Sequence, residues 1–168
     1  MNKVIFLDID GVLATDNEFF TSRVKFHKKF PVAKELRIPY RFNQKAVKVF
    51  NEILNQTDAE IILSSDWKLH WNFEELGQIF DFNNVLRKPF GLTPISPVSI
   101  GDLEKNRANE INEFLERHTV VKNHVILDDL DLTKYLTQPD KFVHCKRSNE
   151  GLKQSGLIDK VLKILNDD

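Results

Sequence analysis

Two aspartates one residue apart, Asp8 and Asp10, close the apolar run Val4-Ile5-Phe6-Leu7, and Gly11 follows directly. Carboxylates are costly to bury unless charge or hydrogen bonds compensate. Because a strand repeats every two residues, both should face one side if the chain stays extended. The same order recurs twice. Ile61-Ile62-Leu63 ends in Ser64-Ser65-Asp66, and Val125-Ile126-Leu127 ends in Asp128-Asp129. Any one of these stretches alone reads as turn chemistry, since aspartate, serine and glycine collect where strands turn. Three in series, each after an apolar run, point at one crevice beyond the strand ends. Clustered carboxylates repel one another. A hard divalent cation such as Mg²⁺, which takes oxygen ligands, is the simplest compensation.

The elements that position these residues can be read from pattern. The apolar runs suit central strands covered on both faces, as in a parallel sheet. Asn43 can cap a helix from Gln44 to about Asn55, whose apolar residues form one stripe. Further helices are expected around Phe73–Phe80, from Leu103 or Arg107 to Arg117, and near Ser155–Leu165. A fourth strand is expected at Lys141–His144. Residues 85–101, with their prolines and glycines, read as a loop after a short strand at Val85-Leu86. Strand and helix alternate, which predicts one α/β domain over residues 1–168. Its sheet is mostly parallel, with helices on both faces by right-handed crossover.

Length and composition agree with that class. The 168 residues suit one domain with a sizeable core. Net charge is −1, yet Thr21–Arg41 holds seven basic residues against Glu35 alone. The rest is therefore net acidic. Cys145 is the only cysteine, which excludes an internal disulfide and a thiolate zinc site. The five histidines lack ligand spacing. The N-terminal apolar run, cut by Asp8, is too short for a signal segment. No stretch approaches the ~20 apolar residues of a membrane span. A cytoplasmic enzyme or binding domain is expected.

The motifs resemble those of the haloacid dehalogenase-like (HAD) phosphohydrolase superfamily. "VIFLDIDGV" is similar to its first motif, "IILSSDW" to its second, "EKNRANEI" to its third and "VILDDLD" to its fourth. The run Ser64-Ser65-Asp66-Trp67-Lys68, Arg107 with Ile111, the Asp128-Asp129 pair and Gly151-Leu152 resemble more closely the HAD domains of Swiss Army Knife RNA repair proteins. The resemblance implies a Rossmann-like three-layer sandwich with a small lid insert at about 14–42. It implies Asp8 as nucleophile, Asp10 as general acid and base, and Ser64 with Ser65 as phosphate ligands. The third-motif cation would be Arg107, which fits by spacing to Ile111, or Lys105, the more usual residue type; Arg107 is preferred. Mg²⁺ would be held by Asp8, Asp129 and the main-chain carbonyl of Asp10, with Asp128 behind them or reaching the ion through water. Asp66 would either orient its loop or cap the following segment, Trp67 would serve packing, and Asp131 would make a turn.

The excursion between Asp10 and Asn43, ~30 residues, is by length a functional lid. Its bases, including Arg23, Lys25, Lys28 and Lys29, and its aromatic residues suit a nucleic-acid end. They would otherwise be a solvated face and a packed underside. The expected activity is a phosphomonoesterase acting on polynucleotide ends. Alternatives are a phosphatase of nucleotides or other small esters, and a binding module without catalysis. The presence of Asp8, Asp10, Ser64 and Asp129 speaks against that last reading.

Overall fold

Residues 3–16, 22–95 and 102–167 are described in the computed structural model. Strand β1 (Lys3–Leu7) lies at the middle of a five-stranded sheet ordered β3-β2-β1-β4-β5. The others are β2 (Glu60–Leu63), β3 (Gly91–Leu92), β4 (Asn123–Asp128) and β5 (Phe142–His144). Every pairing is parallel. In register, Leu7 lies beside both Leu63 and Leu127. The three apolar runs therefore stop at one level, and their polar successors share one end of the sheet.

Strand alternation divides the core in two. Ile5, Leu7, Ile61, Leu63, Val125 and Leu127 face the larger cluster. That cluster is closed by α3 (Gln44–Thr57), α4 (Phe73–Phe82) and α6 (Leu157–Asn166). Val4, Phe6, Ile62 and Ile126 face the smaller cluster, under Ala108, Ile111 and Phe114 of α5 (Leu103–Arg117). Helices thus lie on both faces. Asn43 caps α3, its side chain accepting from the amides of Lys45 and Ala46. Asn72 and Glu75 form a reciprocal capping box on α4.

The expected strand at Val85-Leu86 is not one. Its residues finish the turn after α4: Asn84 is left-handed, the Val85 amide donates to the Phe80 carbonyl, and the Leu86 amide donates to Asn51 Oδ1. The edge strand is Gly91–Leu92, beside Ile62 and Leu63. Two residues leave almost no periodicity to read. Pro97 and Gly101 of that stretch lie outside the described residues.

The excursion closes on itself, because the Asn43 amide donates to the Leu13 carbonyl. Its described part holds α1 (Arg23–Lys29) and α2 (Pro31–Glu35). Helix α2 ends on left-handed Arg37, with the Ile38 amide returning to the Ala33 carbonyl. Phe19 and Phe20 lie outside the described residues. Among the described residues no helix is long and apolar enough to cross a membrane.

Candidate active site

Asp8 stands one residue beyond β1, 4% exposed, its amide donating to the Leu127 carbonyl. The chain then stops being extended. The Ile9 carbonyl accepts from the amides of Leu13 and Ala14, and Gly11 turns at φ 71°. A Cβ at Gly11 would lie 2.1 Å from Asp129 Oδ2, so only glycine lets the first loop approach the fourth-motif carboxylate this closely. Gly151 has a matching role. It is left-handed, a Cβ there would meet the Val12 carbonyl at 2.3 Å, and the next amide, of Leu152, donates to that carbonyl.

Arg107 comes from the first turns of α5 and is 7% exposed. Its Nη1 lies 3.0 Å from Asp8 Oδ1 and 2.8 Å from Asp128 Oδ2, and its Nη2 lies 3.0 Å from Asp66 Oδ1. Burial opposes the guanidinium charge, but Asp8, Asp128 and Asp66 more than offset it and push its pKa up. Lys105 lies outside this cluster, exposed on α5. Two residues, about half a helical turn, separate the buried position from the solvated one. Asp66 does not cap the turn Asp66–Leu69; the Ser65 hydroxyl does, accepting from the Trp67 amide. Asp131 accepts from the Thr133 amide, which is turn chemistry.

Carboxylate oxygens of Asp8, Asp128 and Asp129 lie within 4.8 Å of one another. Asp128 is fully buried; burial and then Asp8 push its carboxyl up, while Arg107 and the Leu130 amide pull it down. Asp129 is pushed up to about 6 by burial and then by Asp8. Three carboxylates around one guanidinium leave a surplus of negative charge. Hard oxygen donors so crowded suit a small divalent cation, which would relieve that surplus.

Ser64 follows β2, its amide donating to the Leu7 carbonyl. Its hydroxyl is buried and meets no hydrogen-bond partner among the described residues. Ser65 is also buried. Asp10 stands apart from the metal-type cluster. Its Oδ1 accepts from the Tyr40 hydroxyl at 2.5 Å and its Oδ2 from Trp67 Nε1 at 3.0 Å. Burial pushes its carboxyl up, and the bonds from Tyr40 and Trp67 oppose that. The sequence reading missed both donors. Nothing in the spacing joins residue 40 to residue 10, and Trp67 looked like packing alone. It also missed the buried pair of Lys68 and Glu110, in which Lys68 donates as well to Thr93 Oγ1.

In the excursion between Asp10 and Asn43, Arg23, Lys25, Lys28 and Lys29 are exposed. The described aromatic residues behave differently. Phe26 and Phe42 are buried, Phe26 packing on Phe30 and Phe82, and Phe42 on Trp67 and Phe80. They fasten the excursion to the core instead of offering a platform. Arg41 lies over the Phe30 and Phe82 rings.

An all-parallel Rossmann-like sheet with acidic residues gathered beyond its central strands is the arrangement of a HAD-type phosphohydrolase. The family model of the HAD domain in Swiss Army Knife RNA repair proteins matches residues 4–156, and the chain belongs to that family. Membership supports a HAD-type phosphatase in general terms. No curated protein and no solved structure matches the chain.

Proposed function

We propose that the chain is a Mg²⁺-dependent phosphomonoesterase that works through an aspartyl-phosphate on Asp8 and acts on polynucleotide ends. The observation that carries the catalytic part is the setting of Asp8. It is a buried carboxylate paired with Arg107, beside Asp128 and Asp129, at the strand end next to Ser64, whose hydroxyl has no partner among the described residues. Asp8 forms the new oxygen–phosphorus bond as the ester oxygen leaves, splitting hydrolysis into two easier steps. Asp10 gives that oxygen a proton and later takes one from the attacking water. The Trp67 indole can only donate, so it keeps Oδ2 as an acceptor. The Tyr40 hydroxyl can donate or accept, so Oδ1 is the oxygen suited to carry the proton. Ser64, Ser65 and Arg107 supply donors to the phosphoryl oxygens, where charge must be held during transfer.

Asp8, Asp129 and Asp128, with the Asp10 carbonyl, would hold Mg²⁺. When bound, the ion would neutralise charge on the phosphate that Asp8 attacks. Polynucleotide ends are supported by the family's description and by the exposed Arg23, Lys25, Lys28 and Lys29. A second reading, small phosphate esters including nucleotides, is favoured by the inward packing of Phe26 and Phe42, which removes them as stacking surfaces.

Phosphate release should be measured with and without Mg²⁺ from an aryl phosphate, from 3′- and 5′-phosphorylated oligonucleotides, and from mononucleotides. We expect Mg²⁺-dependent release, fastest from oligonucleotides and abolished in Asp8→Asn. Release from no substrate would sink the catalytic reading. Release from mononucleotides but not oligonucleotides would leave the second reading standing.

A further inference from the structure

The Asp10 carboxylate is gripped at both oxygens, and the two donors come from separate parts of the chain. Tyr40 belongs to the lid and reaches Oδ1; Trp67 belongs to the turn after β2 and reaches Oδ2. The donors are also fastened to each other. The Tyr40 ring meets Trp67 edge-on, with centroids 5.9 Å apart. Trp67 stacks on Trp71 at 4.6 Å, and Trp71 Nε1 donates to the lid carbonyl of Leu36 at 2.8 Å. Arg37 of the lid pairs with Glu75 at the start of α4. Asp10 itself lies outside the sheet, because β1 ends at Leu7, and its backbone bridges to Ala14 within the same loop. Strand pairing therefore does not set the orientation of this carboxylate. Its two side-chain donors hold one oxygen each.

We propose that Tyr40 is a positioning residue for the acid–base step: the lid hydroxyl, with the Trp67 indole, holds the Asp10 carboxylate in place. The lid is then an arm reaching into the chemistry as well as a cover, and its seating on Trp67 and Trp71 sets how well Asp10 serves the leaving oxygen. The proposal rests on the phosphatase reading above. It assigns the lid a task that is independent of whether the substrate is large or small.

The test compares two esters. An alkyl phosphate needs its leaving oxygen protonated, whereas 4-nitrophenyl phosphate releases a stable anion. For each, kcat/KM reports the steps up to ester cleavage. Tyr40→Phe removes the hydroxyl and keeps the ring on Trp67. We expect it to lower kcat/KM for the alkyl ester about tenfold or more, and for the nitrophenyl ester less than about threefold. Trp71→Phe cuts the tie to Leu36 without touching Asp10 and should shift the same ratio in the same direction, by less. A melting curve checks that each variant is folded.

Equal losses on both esters, or no loss on either, in folded Tyr40→Phe would overturn the positioning role and leave the phosphatase reading intact. If Tyr40→Phe does not fold, the ratio measured on Trp71→Phe decides in the same way. Wild-type protein that cleaves neither ester would overturn the phosphatase reading and this proposal with it.

Discussion

Ser64 keeps a buried hydroxyl without a partner among the described residues. Such a group costs about 1–3 kcal/mol in stability. If a phosphoryl oxygen is its missing acceptor, function and stability are opposed at this position. Ser64→Ala should lower kcat by about 10²–10³-fold, the usual loss for one donor to a developing oxyanion. The same variant should unfold at an equal or higher urea midpoint than wild type. A variant that lost activity and stability together would argue for a packing role. Gly11 behaves in the opposite sense. Its left-handed backbone and its closeness to Asp129 leave no room for a methyl group. Gly11→Ala should cost about 1–3 kcal/mol through backbone strain and displace the Asp129 carboxylate. The expected signature in a Mg²⁺ titration of phosphate release is a higher half-saturating concentration, beyond any fall in the maximum rate.

At the scale of elements, β1, β2 and β4 were legible because each is an apolar run stopped by polar residues, and two-sided burial leaves no other economical reading. Their register then brings Asp8, Ser64 and Asp129 to one end of the sheet without further information. Arg107 was legible from its spacing to Ile111; that Lys105 faces solvent follows from the helical period. What stayed hidden depends on side chains from non-periodic segments. Tyr40 reaches Asp10 from the lid, and β3 is too short to mark its own position. Strand β4 also carries His124, 4% exposed and edge-on to Phe6 under α5. Burial, and then Lys141, pull its pKa down from 6.5 to about 4, with Asp140 acting the other way. The unfolded chain therefore takes up this proton before the folded one. His124 should contribute no penalty above about pH 6.5, and stability should fall as pH drops from there towards about 4. Replacing it as His124→Leu should flatten that part of the profile, measured by urea unfolding at pH 4.5 and pH 7.5.

For the whole molecule, the formal charge of −1 conceals an uneven distribution: a basic excursion that reaches Asp10 through Tyr40, and a crevice lined with aspartates. Free phosphate ends would be repelled by the crevice and drawn by the lid. Lys28 and Lys29 are exposed and away from the Asp10 grip, so Lys28→Glu with Lys29→Glu should slow oligonucleotide processing and spare a small aryl phosphate. The dependence on salt should weaken by up to about two in the log–log slope if both lysines meet phosphates. An unchanged slope would make them ordinary solvated charges. The position of β1 between β2 and β4 has a consequence for folding. Residues 8, 64, 107 and 129 are far apart in the chain, so the crevice does not exist until those three strands have paired and α5 has docked. An ion bound there has no counterpart in the unfolded chain. It must then add to the unfolding free energy by mass action, about 2.7 kcal/mol at a hundred times its Kd. Mg²⁺ should raise the melting temperature of wild type and fail to raise that of Asp129→Asn. The catalytic crevice would then double as the clasp that ties the early, middle and late thirds of the chain together.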